Sequence, residues 1–216
     1  MAISTLVLDY GISEPERLLG ALEKAGINAR VSSTVYDVRT ADRLILPTAQ
    51  DDDFALSRGI GTGYLDAIRQ HLHLQRPLLA IGLGLQLLLD GQCHPGMPPG
   101  LGVFQVPVAK FDPRMLDESE RPLKSPHVGF SFVVGLDRHP HFRTLVPTDE
   151  AGAWFYFRNR LCAPARVPFA EVAVAHHGVP FAGCIWRDAV TAAQFLPELS
   201  GGVGISFLQS WARGTS

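Results

Sequence analysis

The stretch Arg76-Pro-Leu-Leu-Ala-Ile-Gly-Leu-Gly-Leu-Gln-Leu-Leu-Leu-Asp90 constrains the fold more than any other part of the chain. Leu78–Ile81 is continuously apolar, as a central strand covered on both faces must be. Leu83 onward is leucine-rich and reads as a helix ending near Gly91. Gly82 stands alone between them, so the turn from strand to helix is sharp. That is the geometry of a nucleophile elbow, whose turn residue is held in a strained conformation with its side chain over the helix N-terminus. Here the turn residue has no side chain.

The remaining segments fit an α/β arrangement around that strand. Thr5–Asp9 reads as a first buried strand. Ser13 caps a helix that has Pro15 and Glu16 in its first turn, and Gly26 ends it. Ala29–Val31 and Arg43–Leu46 read as further strands, and Val103–Val108 returns as another. Asp112–Ser125 is polar and charged, an exposed excursion. Phe130–Val134, Trp154–Phe157, Ala170–Ala175, Phe181–Ile185 and Ala189–Phe195 are strands, with Gly178 at a hairpin turn. Gly201–Trp211 closes the chain as a helix.

At 216 residues the chain suits a single domain, residues 1–216, large enough to bury a substantial core. Its net charge of −2 favours neither nucleic acid nor an anionic membrane. There is no signal-peptide pattern and no apolar run of membrane-spanning length, so a cytoplasmic location is expected. Cys93, Cys162 and Cys184 share no metal-ligand or redox spacing and read as inert thiols in a reducing compartment. Asp51-Asp-Asp53 reads as acids at a helix N-terminus, and His176-His177 as solvated or structural. No metal is expected from either.

These residues also carry a family resemblance. The elbow resembles the Gly-Ile-Cys-Leu-Gly-Met-Gln segment of class I glutamine amidotransferases. In the same order as in that family come Leu8-Asp-Tyr-Gly11, Ala41-Asp-Arg-Leu-Ile-Leu-Pro47, Gly100-Leu-Gly102, Pro126-His-Val-Gly-Phe130, Phe155-Tyr-Phe157 and Gln194-Phe-Leu-Pro-Glu198. Together they are similar to the glutaminase subunit of imidazole glycerol phosphate synthase, from Leu6 to about Trp211. The resemblance implies a class I glutamine amidotransferase-like, flavodoxin-like fold: a mixed central sheet flanked by helices. It implies no cofactor.

The family's chemistry needs a Cys thiolate, a His that moves the proton, an acid that orients the His, and backbone oxyanion donors. By the resemblance, the Cys position is Gly82, the His position is Leu196, and the acid persists as Glu198. Ala49 and Gln50 replace the flexible glycines of the oxyanion loop. Gly84, Gln86, Asn159 and Arg160 fall in the former substrate pocket. Losing the nucleophile alone costs about 10⁶ in kcat in a triad protease. The expectation is therefore a catalytically inactive glutaminase homologue, serving as a partner or regulatory subunit of a cyclase-type barrel enzyme.

The family's partner face maps onto Tyr10, Glu14, His127, Phe130, Ser131 and Leu199. The partner is then a cyclase-like barrel or a second copy of this chain, and neither nucleic acid nor membrane. Two alternatives stand beside that expectation. One is a small-molecule binder or repurposed enzyme in the old pocket, anchored by Arg158, Arg160 and Glu198. The other is that glutamine hydrolysis survives by an unrecognised route, in the glutaminase role of the family.

Overall fold

The computed structural model describes residues 3–11, 15–49, 62–90, 99–112, 114–117, 119–145 and 151–215. Ser13, Glu14, Gln50, the Asp51–Asp53 run and Cys93 lie outside them.

Four short strands, β1 (Thr5–Leu8), β2 (Ala29–Ser32), β3 (Arg43–Leu46) and β4 (Leu78–Ile81), form the parallel half of one sheet. β1, β3 and β4 are buried at every residue. Alternate side chains serve opposite layers, as the two-residue period of a strand requires. Leu6, Leu8, Leu44 and Leu46 enter one core cluster, and Val7 and Ile45 enter the other. Helices α2 (Val35–Thr40) and α3 (Thr62–His73) cover the first layer, and α1 (Pro15–Lys24) covers the second.

Local chemistry sets the ends of these helices. At the end of α1, Ile27 N–H donates to Leu22 O and Gly26 N–H to Glu23 O, the paired bonds of a Schellman motif. Gly26 takes the left-handed conformation this needs, at φ 73°. At the start of α2, the Thr34 hydroxyl accepts from the Asp37 N–H at 3.2 Å.

After β4 comes helix α4 (Leu83–Leu88), every residue of which is buried. The expected extension to Gly91 does not occur. Leu89–Asp90 instead forms β5, paired with β6 (Phe104–Pro107). The returning chain takes the helix's last carbonyls, with Leu101 N–H donating to Leu87 O and Gly102 N–H to Leu89 O. Those bonds replace another helical turn.

The rest of the chain builds the antiparallel half. Short β7 (Ala109–Lys110) and β10 (Leu161–Cys162) pair with each other, outside the main sheet. The main strands are β8 (His127–Val134), β9 (Gly152–Asn159), β11 (Glu171–His177), β12 (Val179–Arg187) and β13 (Val190–Ala193). The full order is β2-β1-β3-β4-β13-β12-β11-β8-β9, with β13 parallel to β4 and antiparallel to β12. β11 turns into β12 at Gly178, at φ 71°. Helix α5 (Gly201–Gly214) buries Phe207, Leu208 and Trp211 in the layer shared with α1. The expected mixed sheet with helices on both faces is thus the observed one.

Candidate functional site

In an open sheet of this kind, ligands bind beyond the carboxyl ends of the parallel strands. Three such ends meet here: Thr48 follows β3, Gly82 follows β4, and Leu196 and Glu198 follow β13. Register brings them together, since Leu46 pairs with Ala80 and Ala193 with Ile81. Gly82 N–H then donates to Ala193 O at 2.8 Å, tying the elbow to the β13 exit.

The elbow is formed as the sequence predicts. Gly82 adopts φ 54° and ψ −107°, a region that only glycine enters at low cost. The helix behind it presses directly on β3. A Cβ at Gly84 lies 2.2 Å from Leu46 O, so only glycine fits there. Gly84 thus serves packing and does not line the cavity. Gln86 is likewise buried within α4.

A small cavity of about 30 Å³ lies over the elbow, lined by Arg17, Thr48, Ala49, Arg158, Leu196, Glu198 and Leu199. Its size suits one water molecule. Larger clefts occur elsewhere, one of about 650 Å³ along α1 and one of about 470 Å³ beside Trp186 and Trp211, and neither is lined by Thr48, Leu196 or Glu198. The small cavity is the one that meets the chemistry.

Each wall is held by the backbone. The Tyr10 hydroxyl, buried at the end of β1, donates to Pro47 O at 3.2 Å and fixes the entry to Thr48. Leu196 N–H donates to Tyr156 O at 2.8 Å, and the Ser200 hydroxyl donates to Leu196 O at 2.7 Å. Leu196 is buried and offers the cavity only methyl groups. Glu198 sits in the 3₁₀ turn Pro197–Leu199, and its Oε2 is enclosed with no hydrogen-bond partner among the described residues. Burial pushes its carboxyl up to about 7, against the opposing pull of its own backbone N–H and of Arg158 and Arg17.

The other expected pocket residues do not converge here. Asn159 is buried, and its Nδ2 donates to Gln194 O at 3.2 Å. Arg160 is exposed, beyond the end of β9. Ala49, Leu196 and Glu198, which the resemblance assigns to the site, line this one cavity. The bulk and hydroxyl of Thr48 are an addition to that set, although the residue stands directly before the Ala49-Gln50 loop in the sequence.

The two described thiols do not serve the site. Cys162 and Cys184 are buried, which pushes Cys162 up to about 11 and Cys184 higher still. Neither carries useful thiolate near neutrality. No group of three or more metal-ligating side chains occurs among the described residues. No helix among them is long and apolar enough to cross a membrane.

Of the expected partner-face residues, Phe130 is more than half exposed, and Ser131 and Leu199 are partly exposed. Tyr10 and His127 are buried. His127 lies between His177 and Phe157, with ring centroids at 4.1 and 5.0 Å, and its Nε2 is 2.9 Å from the Ser131 hydroxyl. His177 is therefore structural, while His176 is solvated.

No family model matches the chain. Individual proteins do. It is 35% identical over 216 residues to the imidazole glycerol phosphate synthase subunit HisH of Deinococcus radiodurans, covering 98% of this chain and 94% of that one. It is 31% identical over 206 residues to the HisH subunit of Syntrophotalea carbinolica, covering 95% and 98%. Among solved structures, PurLQS from Thermotoga maritima aligns over the full length of both chains with a TM-score of 0.68 at 13% identity. A crystal structure of a glutamine amidotransferase aligns with a TM-score of 0.65 at 16% identity, over 96% and 99% of the two chains. These structures establish the fold, that of the class I glutamine amidotransferases. The sequence relatives overturn the expectation of a catalytically inactive partner or regulatory subunit, because they match nearly end to end and are synthase subunits by name. With an elbow of this geometry and relatives at this identity over nearly its whole length, the chain belongs to the HisH family of imidazole glycerol phosphate synthase subunits.

Proposed function

We propose that the chain is the glutaminase subunit of an imidazole glycerol phosphate synthase-like amidotransferase, hydrolysing glutamine by a route that does not use a cysteine at the elbow. The observation that carries this reading is the full-length similarity to HisH subunits, joined to a formed elbow with an enclosed carboxyl beside it. Against the family pattern, Gly82 and Leu196 stand at the nucleophile and base positions. The chemistry therefore draws on other groups around the same cavity. A base with a proton affinity near neutrality is the main requirement after a nucleophile, and Glu198 meets it.

The partner in this reading is a cyclase-type barrel subunit, docked on the side carrying Phe130, Ser131 and Leu199. Phe130 contributes an exposed ring of the kind that anchors interfaces. The test is glutamate release from glutamine, measured for the chain alone and with the cyclase-type subunit of its own organism. Release that rises on adding the partner supports the reading, and none in either sample refutes it.

A further inference from the structure

A Cβ built on Gly82 lies 2.6 Å from Thr48 Oγ1, 3.0 Å from Thr48 Cβ and 3.4 Å from Leu196 Cδ2. The Thr48 hydroxyl thus occupies the space that the first side-chain carbon of any other elbow residue would need. We propose that Thr48 supplies the nucleophilic hydroxyl of this site toward a primary carboxamide, with Glu198 as its base through one intervening water. The proposal rests on the glutaminase reading above.

Five features favour this role. As a β-branched residue, Thr48 is stiff at χ1, so its hydroxyl is held in place over the elbow. Among the described residues its hydroxyl bonds to Ala49 O at 3.5 Å, the weak end of the range, which leaves the proton available. Thr48 and Glu198 line the same cavity, whose volume of about 30 Å³ matches the single water that the proposal places between them. Glu198 Oε2 is enclosed without a partner among the described residues, a cost of burial that a proton-transfer role explains. Its raised proton affinity suits a base working near neutral pH.

The reaction balances without a further reagent. Thr48 Oγ1 bonds to the carboxamide carbon as its proton passes through the water to Glu198. The carbonyl π pair moves onto oxygen. When that pair returns, the C–N bond breaks, Glu198 gives the proton to the leaving nitrogen, and ammonia departs. Water then attacks the threonyl ester, losing a proton to Glu198, which returns it to Oγ1. Glutamine and water become glutamate and ammonia.

The test uses the full chain with its cyclase-type partner, glutamine as substrate, and the glutamine-mimicking electrophile diazo-oxo-norleucine as probe. Thr48→Val, near in shape, is expected to lower glutamate release by about 10³-fold or more, and Thr48→Ser to keep it within about tenfold of the parent. The probe should map to the peptide carrying Thr48 in the parent and in Thr48→Ser. The acid limb of the pH profile near pH 7 should vanish in Glu198→Gln. Unchanged release by Thr48→Val, or a probe adduct on Cys93 instead, overturns the proposal while the glutaminase reading stands. A parent that releases no glutamate overturns both.

Discussion

Thr48 and Gly82 share one volume: the Thr48 hydroxyl oxygen lies 2.6 Å from where a Cβ on Gly82 falls. Glycine at the elbow and threonine on the neighbouring loop are therefore one packing solution. Two costs oppose Gly82→Ala. The backbone at φ 54° strains any L side chain by about 1–3 kcal/mol, and the new methyl overlaps Thr48. Thr48→Ala removes only the second cost. A double-mutant cycle by urea unfolding should therefore show Thr48→Ala recovering about 1 kcal/mol of the loss caused by Gly82→Ala. Strict additivity would mean that the loop moves aside freely.

Glu198 stores instability that pH releases. Its folded-state proton affinity is raised, so the folded protein holds this proton more tightly than the unfolded chain does. Below the unfolded value both states are protonated and the group costs nothing. As pH rises through about 4.5 toward 7, the folded state loses stability, and the cost is complete above 7. Glu198→Gln should thus stabilise the protein by about 1–3 kcal/mol at pH 8 and hardly at all at pH 4. Equal effects at the two pH values would place the carboxylate in solvent.

His127 acts in the opposite range. Burial, and secondarily the neighbouring His177, lower its affinity for protons to a pKa of about 4. The unfolded chain takes up a proton near pH 6.5, so stability is intact above that value and falls as pH drops toward 4. His127→Phe keeps a ring in the stack against Phe157 and removes the titration. At pH 5 the parent should have lost about 1–2 kcal/mol more, relative to pH 7.5, than this variant. Parallel stability curves for the two proteins would reject the assignment.

The strand and elbow at 78–82 are legible in the sequence because each is signalled locally, by an unbroken apolar run and a lone glycine at its end. The β11–β12 hairpin is legible at Gly178 for the same reason. Helix α2 is not, though Thr34 with Asp37 is a capping pattern, because six residues carry too little periodicity to announce a helix. The early end of α4 has a nonlocal cause, since its last carbonyls are taken by Leu101 and Gly102 from across an intervening segment. Thr48 is invisible as a site residue because only the register of β3 on β4 brings it over the elbow. The seating of His177 on His127 likewise depends on sheet order.

Substitution at Phe130 tests folding and assembly separately. It lies on β8, paired with Tyr156 of the edge strand β9, and the two rings meet edge to face at 5.4 Å. More than half of Phe130 remains exposed, as does Trp154 two residues before Tyr156 on β9. A side chain so placed contributes little to the core, so Phe130→Ser should change unfolding free energy by no more than about 0.5 kcal/mol. At an interface, however, a ring is worth about 2 kcal/mol or more when it fills a partner pocket. The same substitution should weaken binding to the cyclase-type subunit by at least about tenfold. Calorimetric titration of the variant beside the parent measures this directly. Undiminished affinity would move the docking surface away from β8, while lost stability would show that the exposed ring belongs to the fold.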